Sequence, residues 1–102
     1  MIVRLAEIEV DPVHLGEYKA ILAEEIEAAI ALEPGVLALE AVALKDSATS
    51  IRILEVYADS LAYEAHLKTA HFLKYKSLSE GMVRSLRLVE TEPVILRSKA
   101  LA

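Results

Sequence analysis

Apolar and polar positions along the chain fall into periodic segments separated by turn signals. Residues 2–10 (IVRLAEIEV) alternate in part and are rich in β-branched side chains, which predicts a strand. Asp11-Pro12 then supplies a helix start: an N-cap side chain followed by proline at the first helical position, where no N–H is needed. Leu15, Tyr18, Leu22, Ile26 and Ala29 recur at spacings of three and four, which predicts an amphipathic helix. Glu17, Glu24, Glu25 and Glu27 fall largely outside that stripe and read as its solvated face. Pro34-Gly35 ends the helix. Residues 36–44 and 51–57 are predicted strands, with the polar run 45–50 as the hairpin loop between them. Asp59-Ser60 offers caps for a second helix to about residue 68. A break at Thr69-Ala70 precedes a further helix to about residue 83, with Phe72, Tyr75, Leu78 and Met82 on one stripe. Residues 86–96 read as the last strand, in which Pro93 marks an edge, a bulge or an irregular exit.

The order strand–helix–strand–strand–helix–strand is the ferredoxin-like split βαβ arrangement, an α+β fold with an antiparallel sheet. Residues 1–102 form one domain, with no repeat or linker in the sequence. The strands carry apolar residues on both faces: Leu37, Leu39, Ala41 and Ala43 oppose Val36, Ala38, Val42 and Leu44, and Ile51, Ile53 and Tyr57 oppose Leu54 and Val56. Helices in this topology cover one face only. The expected cover for the other is the same sheet of a second copy, packed by two-fold symmetry.

Composition narrows the function. With 55% hydrophobic and 26% charged residues, the chain is neither disordered nor fibrous. A net charge of −5 without a Lys/Arg cluster argues against nucleic-acid binding and against an anionic membrane surface. Cysteine is absent, which removes disulfides, thiolate nucleophiles and cysteine metal sites. The first residues lack a signal-peptide layout, and no stretch approaches a membrane span, so a cytoplasmic location is expected. No G-x-G-x-x-G, P-loop or G-x-S-x-G motif is present.

The segments Glu33-Pro34-Gly35-Val36-Leu37, Leu54-Glu55-Val56-Tyr57-Ala58-Asp59 and Tyr63-Glu64-Ala65-His66-Leu67-Lys68-Thr69-Ala70-His71-Phe72 carry a family resemblance. In matching order they resemble the antibiotic biosynthesis monooxygenase (ABM) domain: an E-P-G turn, a strand ending in E-x-(W/Y), and a helix reading A-H-L-x-T-x-H-F. The resemblance implies a dimeric α+β barrel. It also implies one of several chemistries, including cofactor-independent oxidation of quinols and aromatic polyketides, haem degradation, and isomerisation of a signalling sugar derivative. Haem-degrading relatives look to carry a tryptophan where His66 stands, a ligating histidine where this chain has Lys76, and an asparagine near Ala6. This chain has no tryptophan and no asparagine, so haem chemistry is disfavoured.

His66 matches the first histidine of the motif and is the foremost candidate for an acid–base group; the alternative is a histidine that caps or packs its helix end. His71 follows five residues later, about 140° round on one continuous helix, which is not the spacing of an i, i+4 metal pair. No third ligand is evident, so no metal is expected, and His71 either starts the next helix or joins the substrate site. Tyr18, Tyr57 and Phe72 are expected to wall an apolar pocket or to serve as plain core. Glu55 is the expected buried carboxylate, with an ion pair to Arg4 or Arg52 as its alternative. These residues suggest a monooxygenase without metal or flavin, acting on a quinol or related aromatic. The alternatives are a binding module without turnover and an isomerase of a small metabolite. A pocket lined by arginines beside His66 and Glu55 would favour the isomerase; an apolar aromatic pocket would favour the other two.

Overall fold

The computed structural model describes residues 1–101. Strand β1 (Ile2–Val10) leads through a 3-10 turn at Pro12–His14 into helix α1 (Leu15–Leu32). Asp11 caps that turn, its side chain accepting from the Val13 N–H at 3.1 Å, so the proline start lies in the turn and the α-helix proper begins at Leu15. Strands β2 (Val36–Leu44) and β3 (Ser47–Tyr57) follow, then helices α2 (Ser60–His66) and α3 (Ala70–Ser79), and strand β4 (Val83–Thr91). All strand pairs are antiparallel, in the order β2-β3-β1-β4. This is the expected ferredoxin-like α+β fold.

Helix α1 buries Tyr18, Leu22, Glu25 and Ala29. The upper part of this stripe meets Ala6, Ile8 and Val10 of β1 and Ile51 and Ile53 of β3; its lower end meets Val36, Leu39 and Tyr57. Fully burying an aliphatic or aromatic side chain contributes roughly 1.5–3 kcal/mol, so this layer is the main stabiliser of the fold. No helix is long and apolar enough to cross a membrane among the described residues.

Four details differ from the expectations. The hairpin turn is only Lys45-Asp46, because Ser47 already pairs with Leu44 and the extra residues form a bulge before Ile51 pairs with Ala43. A second bulge at Leu37 puts Val36 and Leu39 on the same buried face, so strict alternation fails at the start of β2. Helix α3 ends at Ser79, where Ser79 Oγ donates to the Tyr75 carbonyl at 2.7 Å; Met82 enters the core from the turn and β4 starts at Val83. Strand β4 stops at Thr91, which leaves Pro93 beyond the ladder at the edge of the sheet.

The second sheet face is divided rather than uniformly apolar. Register places Val3, Leu5, Leu54, Val56 and Val89 together at one end. At the other end Arg52 pairs with Glu7 (3.6 Å) and Glu9 (3.4 Å), and Arg87 with Glu7 (3.5 Å).

Candidate active site

Helices α1, α2 and α3 and the sheet enclose a cavity of about 310 Å³. Its wall is largely apolar, from residues such as Ile8, Leu22, Ile26, Leu39, Ile53 and Phe72. The polar groups that reach it are Glu25, Glu55, Tyr57, Tyr63, His66 and Tyr75, with Lys76 the one cationic side chain in the lining among the described residues.

The chain break between α2 and α3 sets the histidines. Asp59 caps α2, accepting from the Ala62 N–H at 2.8 Å. Thr69 caps α3: its hydroxyl donates to the His66 carbonyl at 2.8 Å and accepts from the Phe72 N–H at 3.3 Å. His66 therefore ends one helix and His71 sits in the first turn of the next, so the 140° rule of a continuous helix does not apply. Both rings turn to one carboxylate. His66 Nδ1 lies 2.9 and 3.1 Å from the two oxygens of Glu33, and His71 Nε2 lies 2.6 Å from Glu33 Oε2.

Glu33 reaches this position as the C-cap residue of α1, immediately before Pro34-Gly35. That turn packs directly against α2. A Cβ on Gly35 would lie 2.5 Å from Ala62 Cβ, so only glycine lets the turn approach so closely. An ionised carboxylate only accepts hydrogen bonds, so Glu33 selects the tautomer of His66 with its proton on Nδ1. The Nε2 lone pair is then directed toward Glu25, whose Oε1 lies 3.6 Å away. His66 is 3% exposed, and Tyr57 and Phe72 flank its ring with centroids at 5.4 and 4.9 Å.

Two carboxyls in the cavity wall have perturbed acidity. Burial raises Glu25 above the usual glutamate range, against the opposing pull of His66 and His71. Burial likewise raises Glu55, against the hydrogen bond that Tyr57 Oη donates to Glu55 Oε1 at 2.9 Å. The Tyr57 and Tyr18 phenols are pushed well above their ordinary value by burial, so both stay neutral donors.

Of the residues singled out from sequence, His66, Glu55, Tyr57 and Phe72 meet in the cavity wall. Tyr18 does not line the cavity; its hydroxyl lies 2.6 Å from that of Tyr75, which does. His71 stands behind His66 on the other side of Glu33 and lines a separate small recess. Glu55 pairs with neither arginine: Arg4 Nε donates to Glu90 at 2.6 Å and stacks over Tyr63, and Arg52 bonds to the acidic residues of the opposite face. Glu24 and Glu27 are solvated, but Glu25 is 6% exposed and faces the cavity, which corrects its reading as part of the acidic outer face. The sequence did contain the signal. Positions 18, 22, 25 and 29 are spaced four, three and four, so a glutamate stood on the buried stripe. Glu33 was visible only as part of the turn motif.

The family model described as antibiotic biosynthesis monooxygenase matches residues 1–78. A solved structure from Bacteriodes thetaiotaomicron VPI-5482, named for the same family, is 49% identical, covers 96% of this chain and 95% of its own, and superposes with a TM-score of 0.94. A protein from Lactobacillus acidophilus NCFM, named as a monooxygenase, is 29% identical over 85% of this chain and 41% of its own, with a TM-score of 0.84. PA3566 from Pseudomonas aeruginosa shares the fold at 20% identity, a TM-score of 0.83, and coverage of 92% and 94%. The search of curated proteins returned no match. The chain belongs to the antibiotic biosynthesis monooxygenase family.

Proposed function

We propose that the protein is a cofactor-independent monooxygenase that oxidises a quinol or related small phenol with O₂. One observation carries this reading: a buried histidine held on Nδ1 by a carboxylate, with its other nitrogen on the Glu25 side of an apolar cavity. That is the orientation required of a general base. His66 Nε2 takes the phenolic proton and Glu33 stabilises the imidazolium that results. The electron-rich anion then reduces O₂, and oxygen is inserted at the ring. The overall balance is quinol plus O₂ giving hydroxyquinone plus water, all four electrons coming from the substrate. No flavin or metal is required for that balance.

The cavity volume falls at the small end of ligand sites, and its apolar wall suits a flat ring. Two carboxyls, Glu25 and Glu55, against the single cation Lys76 and no arginine in the lining among the described residues, argue against a phosphorylated or otherwise anionic metabolite, and hence against the isomerase alternative. The Tyr57–Glu55 pair provides a polar end for a second hydroxyl. Oxygen uptake by EDTA-treated, flavin-free protein across a panel of quinols tests the proposal: uptake with formation of hydroxyquinone supports it. Saturable binding with no uptake would replace it with the non-catalytic binding module.

The partly exposed Leu5, Leu54 and Val89 of the outer sheet face support a homodimer formed through that face, with the ion network of Glu7, Glu9, Arg52 and Arg87 at its margin. Sedimentation analysis should give twice the chain mass, and Leu54→Glu should shift it to the monomer. A wild-type monomer at micromolar concentration would reject the dimer.

A further inference from the structure

The cluster behind the cavity holds more than one base and its carboxylate. Glu25, Glu33, His66 and His71 each present a nitrogen or oxygen ligand atom, and these atoms all lie within 4.8 Å of one another. They come from the middle of α1, its C-cap, the last residue of α2 and the first turn of α3. Three helices thus converge on a small volume. A tetrahedral ion with bonds of about 2.1 Å holds its ligands roughly 3.4 Å apart, so side-chain adjustments of about an ångström would close the set.

An independent observation points to a ligand at this place. Glu25 Oε1 is buried, has no hydrogen-bond partner, and is aimed at His66 Nε2 from 3.6 Å. Buried carboxylate oxygens are rarely left unpartnered, because losing water without a replacement is costly. Neither Glu25 nor Glu33 pairs with a lysine or arginine among the described residues; their ionic partners are the two histidines. A cation held within this cluster would satisfy the orphaned oxygen and neutralise both carboxylates. The two imidazoles exclude a preference for calcium or magnesium and select a first-row transition ion.

We propose that Glu25, Glu33, His66 and His71 form a binding site for one divalent transition ion of the zinc or cobalt class. The occupied site is a state distinct from the catalytic one proposed above, because an ion held jointly by Glu33 and His66 displaces the hydrogen bond between them that base catalysis requires. The ion is therefore an occupant that regulates the site rather than a cofactor of the oxidation.

EDTA-treated and dialysed protein titrated with Co²⁺, followed by its visible ligand-field absorption and then by displacement with Zn²⁺, tests this directly. One equivalent per chain is expected, with the bands of nitrogen–oxygen coordination. Glu25→Gln and His71→Ala should each weaken binding at least about tenfold. Both variants are checked for native circular dichroism; His71 is only partly buried, so its removal spares the core. Absence of ligand-field bands and of calorimetric heat up to about 1 mM metal would overturn the site. So would affinity unchanged in both folded variants, since the ion would then lie elsewhere. No substrate enters the titration, so its result stands apart from that of the oxygen-uptake experiment.

Discussion

Glu33→Gln tests the arrangement at its centre. The substitution keeps the shape of the side chain and removes its charge. With the amide oxygen at the Oε2 position, glutamine can still accept from His66 Nδ1 at 2.9 Å and His71 Nε2 at 2.6 Å. Its NH₂ then faces His66 Nδ1 at the 3.1 Å now occupied by Oε1, donor against donor. Hydrogen bonds to a charged group contribute about 1.5–3 kcal/mol, against about 0.5–1.5 for a neutral pair. Two such losses predict a destabilisation of about 2–3 kcal/mol, read as a lower urea midpoint at unchanged slope. The kinetic effect follows from charge. A carboxylate about 4 Å from an imidazolium at an effective dielectric near 20 is worth about 4 kcal/mol. Glu33 keeps some contact with solvent, which screens part of this, so about 3 kcal/mol of the barrier is lost and kcat for quinol oxidation falls about a hundredfold. Oxygen uptake by the folded variant, compared with wild type at saturating quinol, reads the effect. A folded Glu33→Gln variant with wild-type kcat would refute the role of Glu33 in supporting the base.

Glu25→Gln separates electrostatics from packing in the metal-free protein. Burial raises the Glu25 pKa, so the native state holds more protons than the unfolded chain and stability falls as pH rises from the ordinary glutamate value to the raised one. Each pH unit between those values is worth about 1.4 kcal/mol. The variant should therefore gain on wild type between acidic and neutral pH, as measured by urea midpoints; a difference independent of pH would contradict this. Gly35→Ala should cost about 1–3 kcal/mol and lower kcat as well, because the new Cβ pushes α2 and His66 away from Glu33. Gly81→Ala, whose Cβ would meet nothing within 4 Å, is the control and should change stability by less than about 0.5 kcal/mol.

The elements were legible because period and caps agreed. The stripe of α1, the Asp59 cap, the break at Thr69-Ala70 and the strand-rich runs each pointed to the structure found. Boundaries failed where pairing overrode local polarity: Ser47 reads as loop but completes the ladder with Leu44, and Leu37 is absorbed in a bulge that alternation cannot show. Of the residues named from motif and chemistry, His66, Glu55, Tyr57 and Phe72 line the cavity. Glu33 and Glu25 were not singled out for the site, for different reasons. Glu33 acts across a separation of thirty-three residues, which no local pattern reports. Glu25 stood among other glutamates, and its place on the buried spacing was outweighed by the usual solvation of acidic runs.

The most direct measurement is oxygen consumption by wild type and His66→Ala, side by side, in EDTA and free of flavin, with a quinol of the panel. His66 is buried between Glu33 and Glu25, so circular dichroism must first show that the variant is folded. Wild type is expected to consume one O₂ per quinol and to release the hydroxyquinone, and the variant to be slower by about a hundredfold or more. A folded variant with the wild-type rate, or a wild type that consumes no oxygen with any quinol, would contradict it.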